Sequence, residues 1–386
     1  MRARLMRPMR AVGVIAIASA MALTVTACGG GAADVGSANA TAAGTTAASS
    51  APSGPYAQIQ SLPKDQQRAK AEELAKAEGT LSIYTSMTQD VIDAVSKAFQ
   101  DQFGIKVVAF RGNSETVLQR ILQEGSANKL GADAVETNFL EMSTLSKEGL
   151  LEKFEGASLD KVKETALFDG WTATRFNVFL PAWNTNLIKP GDEPKSWEDL
   201  ANPKYKGKIT LEISDSDWYE NVTKYWLDNG KTQAEVDGLW KKIVSNANAA
   251  KGHTTMMELL GAGQTAMDAM NYSYITERAK ADGAPVSYRL ADGTNPIPAF
   301  ARPNGVGMLK GVKHPAAAWL FYDWMLTDGQ KVLVDLHLTP STDVPGDESL
   351  KGINLVPFDV ETLTNDAAAW DKKYDAQLRG VEKIKS

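Results

Sequence analysis

The chain between residues 80 and 135 alternates short apolar runs with stretches in which apolar residues recur every three or four positions. The runs 80–86, 105–110 and 132–135 predict strands, because each is short and is bounded by glycine or polar residues. The intervening helical spacing predicts two helices, with apolar faces formed by Val91, Val95, Phe99 and Phe103, and by Val117, Leu118, Ile121 and Leu122. Strands and helices in this order predict a parallel sheet with right-handed crossovers.

A second group of elements follows an apolar, aromatic run at 176–183, which we interpret as a strand crossing to a second lobe. The run 208–211 predicts the next strand, and strands are also expected within 266–274 and 285–290. A short strand at 297–300 should return to the first lobe. Helices are predicted at 64–78, 218–229, 233–247, 255–263, 316–326 and 328–336, and within 361–383.

The N-terminus has the three-part pattern of an export signal. Four arginines and no acidic residue lie before an apolar run at 11–25, which is shorter than the roughly twenty residues of a membrane span. Small residues then precede Cys28, the only cysteine of the chain. This ending resembles the lipobox of bacterial lipoproteins, which implies lipidation of Cys28 and a position on the outer face of the bacterial cytoplasmic membrane. A plain signal peptide with an incidental cysteine is the alternative.

Composition and length set the expected domain organisation. Residues 28–61 are mostly small or polar and predict a flexible tether after a signal peptide at 1–27. The remaining residues exceed what one core usually supports. We therefore expect a first lobe at 62–183, a second lobe at 184–297, a return to the first lobe at 298–345 and a C-terminal helical segment at 346–386. The net charge of −6, more negative without the arginine-rich leader, disfavours nucleic acid as a partner.

Polar side chains follow the predicted strands of the first lobe. Because ligands of parallel sheets bind at the carboxyl ends of the strands, these positions are candidates for binding. Helix N-termini and hydroxyl donors there suit an oxyanion, although Ser and Thr also cap helices for purely structural reasons. The candidates in this lobe are Thr85, Ser86, Asn113, Ser114, Glu136 and Asn138.

The second lobe offers hydroxyl, acidic and aromatic candidates. Thr254 and Thr255 stand at a predicted helix start and could add hydroxyl donors. Carboxylates beside aromatic rings favour a cation, and carboxylate with phenolate oxygens also suits Fe(III). A solvated acidic turn and half-buried strand aromatics are the structural alternatives. The acidic and aromatic candidates, with the serine between the two tyrosines, are Asp215, Asp217, Trp218, Tyr272, Ser273 and Tyr274.

The order of several segments is similar to that of the type II periplasmic binding proteins, the solute receptors of ABC importers. More narrowly, it resembles their iron, thiamine, putrescine and aminoethylphosphonate group. The resemblance covers roughly residues 65 to 345 and is carried by the segments 81–86, 103–107, 147–151, 197–200, 205–209, 279–286 and 313–318. It implies an α/β fold of two lobes, each a mostly parallel sheet flanked by helices, joined by crossing strands and closing on solute.

The resemblance also implies a metal-ligand set. Ferric receptors of the group carry two adjacent tyrosines, and here Tyr272 matches the first while Ser273 stands at the second. Tyr274 could substitute, since alternation along an extended chain would place it on the same side as Tyr272. Glu136 lies near the place of the acidic ligand. Ferric iron or a ferric chelate is therefore the leading solute, and an organic phosphonate, a polyamine or a thiamine-like compound is the alternative.

The sequence lacks the motifs of common enzyme classes. It contains no Gly-x-Ser-x-Gly elbow, HExxH pair, P-loop or dinucleotide glycine pattern. We predict a monomeric binding protein with no cofactor, which binds a small solute or metal ion and delivers it to an ABC permease in the membrane. A lipid-anchored hydrolase is the hypothesis from another class.

Overall fold

The computed structural model describes residues 54–384, so the predicted leader, Cys28 and most of the predicted tether lie outside the described part. The strands of this part are β1 (Thr80–Thr85), β2 (Lys106–Arg111), β3 (Ala134–Asn138), β4 (Leu151–Glu152), β5 (Leu167–Phe168), β6 (Trp171–Asn184), β7 (Ile209–Glu212), β8 (Ala247–Ala250), β9 (Met267–Tyr272), β10 (Val286–Ser287), β11 (Asn295–Leu309), β12 (Thr339–Pro340) and β13 (Ile353–Val356).

The helices of the same part lie mostly between consecutive strands. Short 3₁₀ turns occupy 157–161, 164–166, 198–201 and 203–205. The α-helices are α1 (Pro55–Gln60), α2 (Lys64–Glu78), α3 (Gln89–Phe103), α4 (Ser114–Ser126), α5 (Phe139–Lys147), α6 (Ser216–Asp228), α7 (Gln233–Asn246), α8 (His253–Gly261), α9 (Ser273–Ala281), α10 (Pro315–Met325), α11 (Asp328–Asp335) and α12 (Val360–Gln377). Helix α1 falls inside the segment predicted as tether, and its Ile59 is buried.

The strands form one mixed sheet whose main path runs β2-β1-β3-β11-β6-β9-β7-β8. Strands β1, β2 and β3 are parallel, and so are β7, β8 and β9. Between these groups lie the long strands β6 and β11, which pair antiparallel with each other and with their neighbours. We call β1–β3 with α3–α5 the first half, β7–β9 with α6–α9 the second half, and β6 and β11 the crossing strands. The predicted α/β architecture of two parallel groups joined by crossing strands is confirmed.

Helix α3 shows how the sequence pattern produces an element of the first half. Its buried face contains Val91, Val95, Phe99 and Phe103, the four residues whose spacing predicted the helix. Gly104 ends the helix with a φ of 72°, a conformation that glycine adopts without the steric cost of a Cβ atom. The aromatic rings of Phe99 and Phe321 lie 5.3 Å apart edge to face, which fixes α3 against α10.

Strands β8 and β11 differ from the sequence predictions in informative ways. Strand β8 was not predicted, because its residues Ala-Asn-Ala-Ala have no strand-like alternation and continue the pattern of the preceding helix. Strand β11 has 15 residues, whereas only 297–300 were predicted, because prolines and glycines interrupt its sequence. The structure accommodates Gly305 in β11, where a Cβ atom would lie 2.3 Å from the carbonyl oxygen of Thr172. A larger residue at this position would push the crossing strands apart.

No helix among residues 54–384 has both the length and the apolar character needed to cross a membrane.

Candidate functional site

A cleft of about 360 Å³ lies where the strand-to-helix turns of the two halves face each other. Turns after β1, β2 and β3 form one wall, and turns after β7, β8 and β9 form the other. Arg175 and Asn177 of crossing strand β6 also contribute to its surface. The further lining residues are Ser86, Thr88, Arg111, Asn113, Ser114, Glu115, Asn138, Glu212, Ser214, Asp215, Lys251, Gly252, His253, Thr254, Thr255, Tyr272, Tyr274 and Ile275.

Six α-helices begin at this cleft, namely α3, α4 and α5 from the first half and α6, α8 and α9 from the second. The first N–H groups of a helix have no partner within the helix and carry partial positive charge. Asn113 uses its side chain to accept from Thr116 N at the start of α4, at 2.9 Å. Asn138 and Gly252 make no side-chain cap at α5 and α8. The walls therefore attract negative charge from several directions.

Arg175 is the most buried cation of the cleft, with 2% of its surface exposed. Its Nη2 forms an ion pair with Glu136 Oε1 at 3.0 Å, and its Nη1 donates to Asn177 Oδ1 at 2.5 Å. Glu136 also accepts from Thr85 Oγ1 at 2.9 Å. Among the described residues, Arg175 Nε has no hydrogen-bond partner. An arginine held at both terminal nitrogens thus keeps one N–H donor unused.

A second buried group surrounds Arg302 of crossing strand β11. Its Nη1 donates to Asp217 Oδ2 at 2.9 Å and lies 3.5 Å from Asp215 Oδ1, while its Nη2 donates to the phenol oxygen of Tyr272. The guanidinium carbon also lies 4.9 Å from the ring centre of Phe179. These contacts connect a crossing strand to the starts of α6 and α9.

His253 connects this group to the cleft. Its Nε2 lies 2.6 Å from Asp215 Oδ2, and its ring centre is 3.8 Å from that of Tyr272. Burial disfavours the charged imidazole, but the charge and hydrogen bond of Asp215, with Glu212 adding, raise the pKa of His253 above its ordinary value. Protonated His253 has a donor at each nitrogen, and its Nδ1 has no partner within the described part.

The acidic partners of this group differ in their ionisation. Burial alone would raise the pKa of Asp215, but His253 and Arg302 outweigh it and hold the pKa below the usual aspartate value. Burial raises the pKa of Asp217 against the opposing charge of Arg302. Burial also raises the pKa of Tyr272, again against Arg302. The Tyr272 phenol is therefore neutral, hydrogen-bonded and not a phenolate in this arrangement.

Residues 94–344 match the family described as bacterial extracellular solute-binding protein. The chain belongs to this family. It is the solute-binding component of an ABC uptake system, an extracytoplasmic transport protein and not an enzyme. The cleft between its two halves is the candidate solute site.

Individual relatives of this solute-binding protein bind different solutes. It is 26% identical over 266 residues to the Fe(3+)-binding periplasmic protein of Serratia marcescens, covering 67% of this chain and 77% of the relative. Iron-bound HitA from Pseudomonas aeruginosa matches with a TM-score of 0.63 at 22% identity, over 76% of this chain and 99% of HitA. AfuA from Actinobacillus pleuropneumoniae, with fructose-6-phosphate bound, matches with a TM-score of 0.67 at 21% identity, over 78% and 99%.

The solute-binding protein places nine of the predicted site residues in its cleft: Ser86, Asn113, Ser114, Asn138, Asp215, Thr254, Thr255, Tyr272 and Tyr274. Tyr272 and Tyr274 lie on the same wall with rings 5.9 Å apart and 10° from parallel, although helix α9 already begins at Ser273. The other predicted residues lie behind this surface. Ser273 is buried at the start of α9.

Four further predicted residues are also placed behind the cleft surface. Thr85 and Glu136 form the buried group around Arg175. Asp217 pairs with Arg302 and lines an adjoining cavity of about 470 Å³. Trp218 is fully buried, with its ring 5.3 Å from that of Trp240, and belongs to the apolar core of the second half.

Sequence reasoning missed the cations of the site. Arg175 and Arg302 lie on the crossing strands, each within or beside an apolar run. A charged residue in such a run needs a buried partner, and this could have indicated a role at the site. His253 precedes two predicted site residues, but its contact with Asp215 joins positions 38 residues apart. Such a contact depends on the pairing of β7 with β8, and β8 was not predicted.

Asp268 of β9 provides a test of the electrostatics below the cleft. It is fully buried, and burial raises its pKa to about 7, against the hydrogen bond from Asn271 Nδ2 at 2.8 Å. The folded protein therefore binds a proton that the unfolded chain, with a pKa of about 3.9, has lost. We therefore expect the free energy of unfolding to decrease as the pH rises from 4 to 7. In Asp268→Asn this decrease should be smaller by about 3 kcal/mol, because the asparagine does not titrate.

Urea unfolding of the wild type and of Asp268→Asn at pH 4.5 and pH 7.5 would measure this difference. Exposed Asp237→Asn serves as the control, since it should leave the pH dependence as it is. Parallel stability curves for Asp268→Asn and the wild type would show that Asp268 is ionised in the folded state at neutral pH.

Proposed function

We propose that this protein captures a small solute carrying an oxyanion group, such as a phosphate, phosphonate or carboxylate, and delivers it to an ABC permease. The observation that carries the proposal is a pair of buried cleft nitrogens without a partner among the described residues: Arg175 Nε, and His253 Nδ1, which donates when the imidazole is protonated. Both side chains are more than nine-tenths buried, so neither donor is served by bulk water. The oxygens of an oxyanion are acceptors for donors of this kind, and helix N-termini supply further N–H groups.

The charges around the cleft support this assignment. Asp215 is bound by His253 and Arg302, and Glu136 is bound by Arg175 and Thr85, so these carboxylates have their partners within the protein. Arg111 and Lys251 line the opening and are exposed. Arg111 donates its Nε to the carbonyl oxygen of Met87 at 3.0 Å, and no carboxylate of the described residues pairs with Arg111 or Lys251, so both could attract an entering anion. Lipidation of Cys28 would keep the receptor beside its permease on the outer face of the cytoplasmic membrane.

A thermal-shift screen tests the proposed solute class. The purified receptor would be heated with inorganic phosphate, a hexose phosphate, an alkyl phosphonate, citrate, ferric citrate, putrescine and thiamine. A solute at 100 times its Kd stabilises the folded state by about 2.7 kcal/mol, which would raise the Tm by several degrees. We expect the shift with at least one of the oxyanions and none with putrescine or thiamine. A shift with putrescine alone would contradict the proposal.

Ferric iron bound directly by the protein is the second candidate. It is favoured by the parallel rings of Tyr272 and Tyr274 and by the iron-binding relatives. Direct ligation would require Tyr272 to leave Arg302 and ionise, and Glu136 to leave Arg175. Tyrosinate ligation would give a visible charge-transfer band that Tyr272→Phe abolishes. A ferric chelate held as an oxyanion would shift the Tm and show no such tyrosine-dependent band.

A further inference from the structure

The C-terminal segment 353–384 contacts both halves of the protein. It begins with β13, which pairs with crossing strand β11, and continues into α12. Beyond α12, Ala249 N of edge strand β8 donates to Glu382 O and Ile384 N donates to Ala249 O, both at 2.8 Å. The segment thus starts beside a crossing strand and ends on the far edge of the second half.

The contact with the first half is made by α5. Leu363 of α12 is fully buried in the same apolar cluster as Phe139, Met142 and Leu145. The ring of Phe358 lies 6.0 Å from that of Phe139, edge to face. Lys147, at the end of α5, donates its Nζ to the carbonyl oxygen of Thr364. These contacts combine apolar burial with a polar bond at one short stretch of the segment.

The contacts with the second half begin within this stretch and continue beyond it. Asp359 pairs with Lys224 and its N–H donates to Asn221 Oδ1 at 2.8 Å, both on α6. Further along, Tyr374 Oη donates to the carbonyl oxygen of Glu212 at 2.6 Å. Between them, Asp366 interrupts α12 with a φ of −125° and a ψ of 15°, so the helix bends after its contact with the first half.

At the other end of the cleft an ion pair joins the two halves. Arg278 of α9 in the second half pairs with Asp90 of α3 in the first half. Asp90 follows Thr88 and Arg278 follows Ile275, and both of these line the 360 Å³ cleft. The adjoining 470 Å³ cavity shares Ser114 and Asp215 with the cleft but is lined on its far side by α12 residues. The ion pair and α12 therefore mark opposite ends of one continuous space.

We propose that segment 353–384 is a strap that keeps one end of the cleft shut, so that the halves separate only at the Asp90–Arg278 end. The strap is anchored by a buried leucine, aromatic contacts and several hydrogen bonds, whereas the charged contact at the opposite end is the partly exposed Asp90–Arg278 pair. Exposed ion pairs contribute little to stability, so the Asp90–Arg278 end opens first. Solute enters and leaves there, and the strap sets how far the opening extends.

Distances between spin labels in the solute-free receptor test the strap directly. Labels on Asp93→Cys and Asp282→Cys report on the ion-pair end, and labels on Glu148→Cys and Asp228→Cys report on the strap end; all four positions are exposed. Cys28→Ser removes the native thiol. We expect a broad distance distribution at the ion-pair end and a narrow one at the strap end. A distribution at the ion-pair end that is no wider than that at the strap end would overturn the proposal.

Two variants separate the ends. Lys147→Ala with Leu363→Ala should broaden the distribution between positions 148 and 228, and Leu122→Ala is the control that truncates a leucine of the same cluster without touching the strap. Arg278→Gln should shift only the distances between positions 93 and 282 outward, with Lys97→Gln, which breaks a pair within α3, as its control. An unchanged strap-end distribution in the first variant would also overturn the proposal. None of these readouts needs a solute, so they stand apart from the thermal screen.

Discussion

Replacement of Arg175 by methionine is expected to abolish oxyanion binding and to lower the free energy of unfolding by about 3–5 kcal/mol. Methionine keeps much of the length of the side chain but leaves fully buried Glu136 without its cation. Burial already raises the pKa of Glu136 against the opposing effect of Arg175, so the variant should take up a proton there on folding. Urea unfolding at pH 7 would measure the loss, and calorimetry with the best oxyanion from the thermal screen would measure binding.

The double variant Arg175→Met, Glu136→Gln distinguishes two roles of the arginine. The glutamine removes the uncompensated charge and can still accept from Thr85, so most of the lost stability should return. Binding should not return, because the donor at Arg175 Nε is still missing. Full binding by the double variant would mean that Arg175 serves only as the counter-ion of Glu136.

Replacement of Arg302 by methionine should also lower the free energy of unfolding by about 3–5 kcal/mol near pH 8. The change leaves Asp215 and Asp217 buried near each other without their shared cation and takes the donor from the Tyr272 phenol. The folded-state pKa of Asp217, already raised by burial, would rise further. The cost should therefore be smaller at pH 5 than at pH 8, because protonation of Asp217 at lower pH removes its uncompensated buried charge.

Unfolding of Arg302→Met at pH 5 and pH 8 gives this comparison, and Arg302→Met with Asp217→Asn is the matched variant. The double variant should lose less stability than the single variant at pH 8 and should differ little from it at pH 5. Equal losses at both pH values in the single variant would show that the packing of Arg302 against Phe179, and not its charge, is what stabilises the fold.

The sequence pattern was sufficient for the parallel part of the first half, because each strand and helix there has its own apolar periodicity. The crossing strands were harder to predict. Strand β11 contains Pro296, Pro298 and Pro303, which usually exclude a central strand, and it is stabilised by pairing with β3 and β6 from distant parts of the chain. Such pairing is decided by tertiary packing, which local propensity does not report.

Part of the candidate site could also be predicted from the sequence, and part depended on tertiary pairing. The turns carrying Ser86 and Ser114 could be predicted, since polar residues directly after parallel strands meet at one edge of a sheet. Thr255 was proposed only from the predicted start of a helix, because β8 before it was not predicted. Arg175 and Arg302 could not, because their roles depend on the antiparallel pairing of β6 with β11, which brings both arginines into the sheet between the two halves. Trp218 was predicted at the site because it follows Asp217. Consecutive residues of a helix point in different directions, and Trp218 of α6 points into the apolar core.

The pairing of residues 382–384 with β8 has a consequence for self-association. Strand β8 is the last strand of the sheet path, and an uncovered strand of this kind offers unpaired N–H and C=O groups to any second chain. The tail occupies those groups at Ala249 on the open side of the strand. At this point the receptor covers its own sheet edge, which discourages a second copy from joining it through backbone hydrogen bonds.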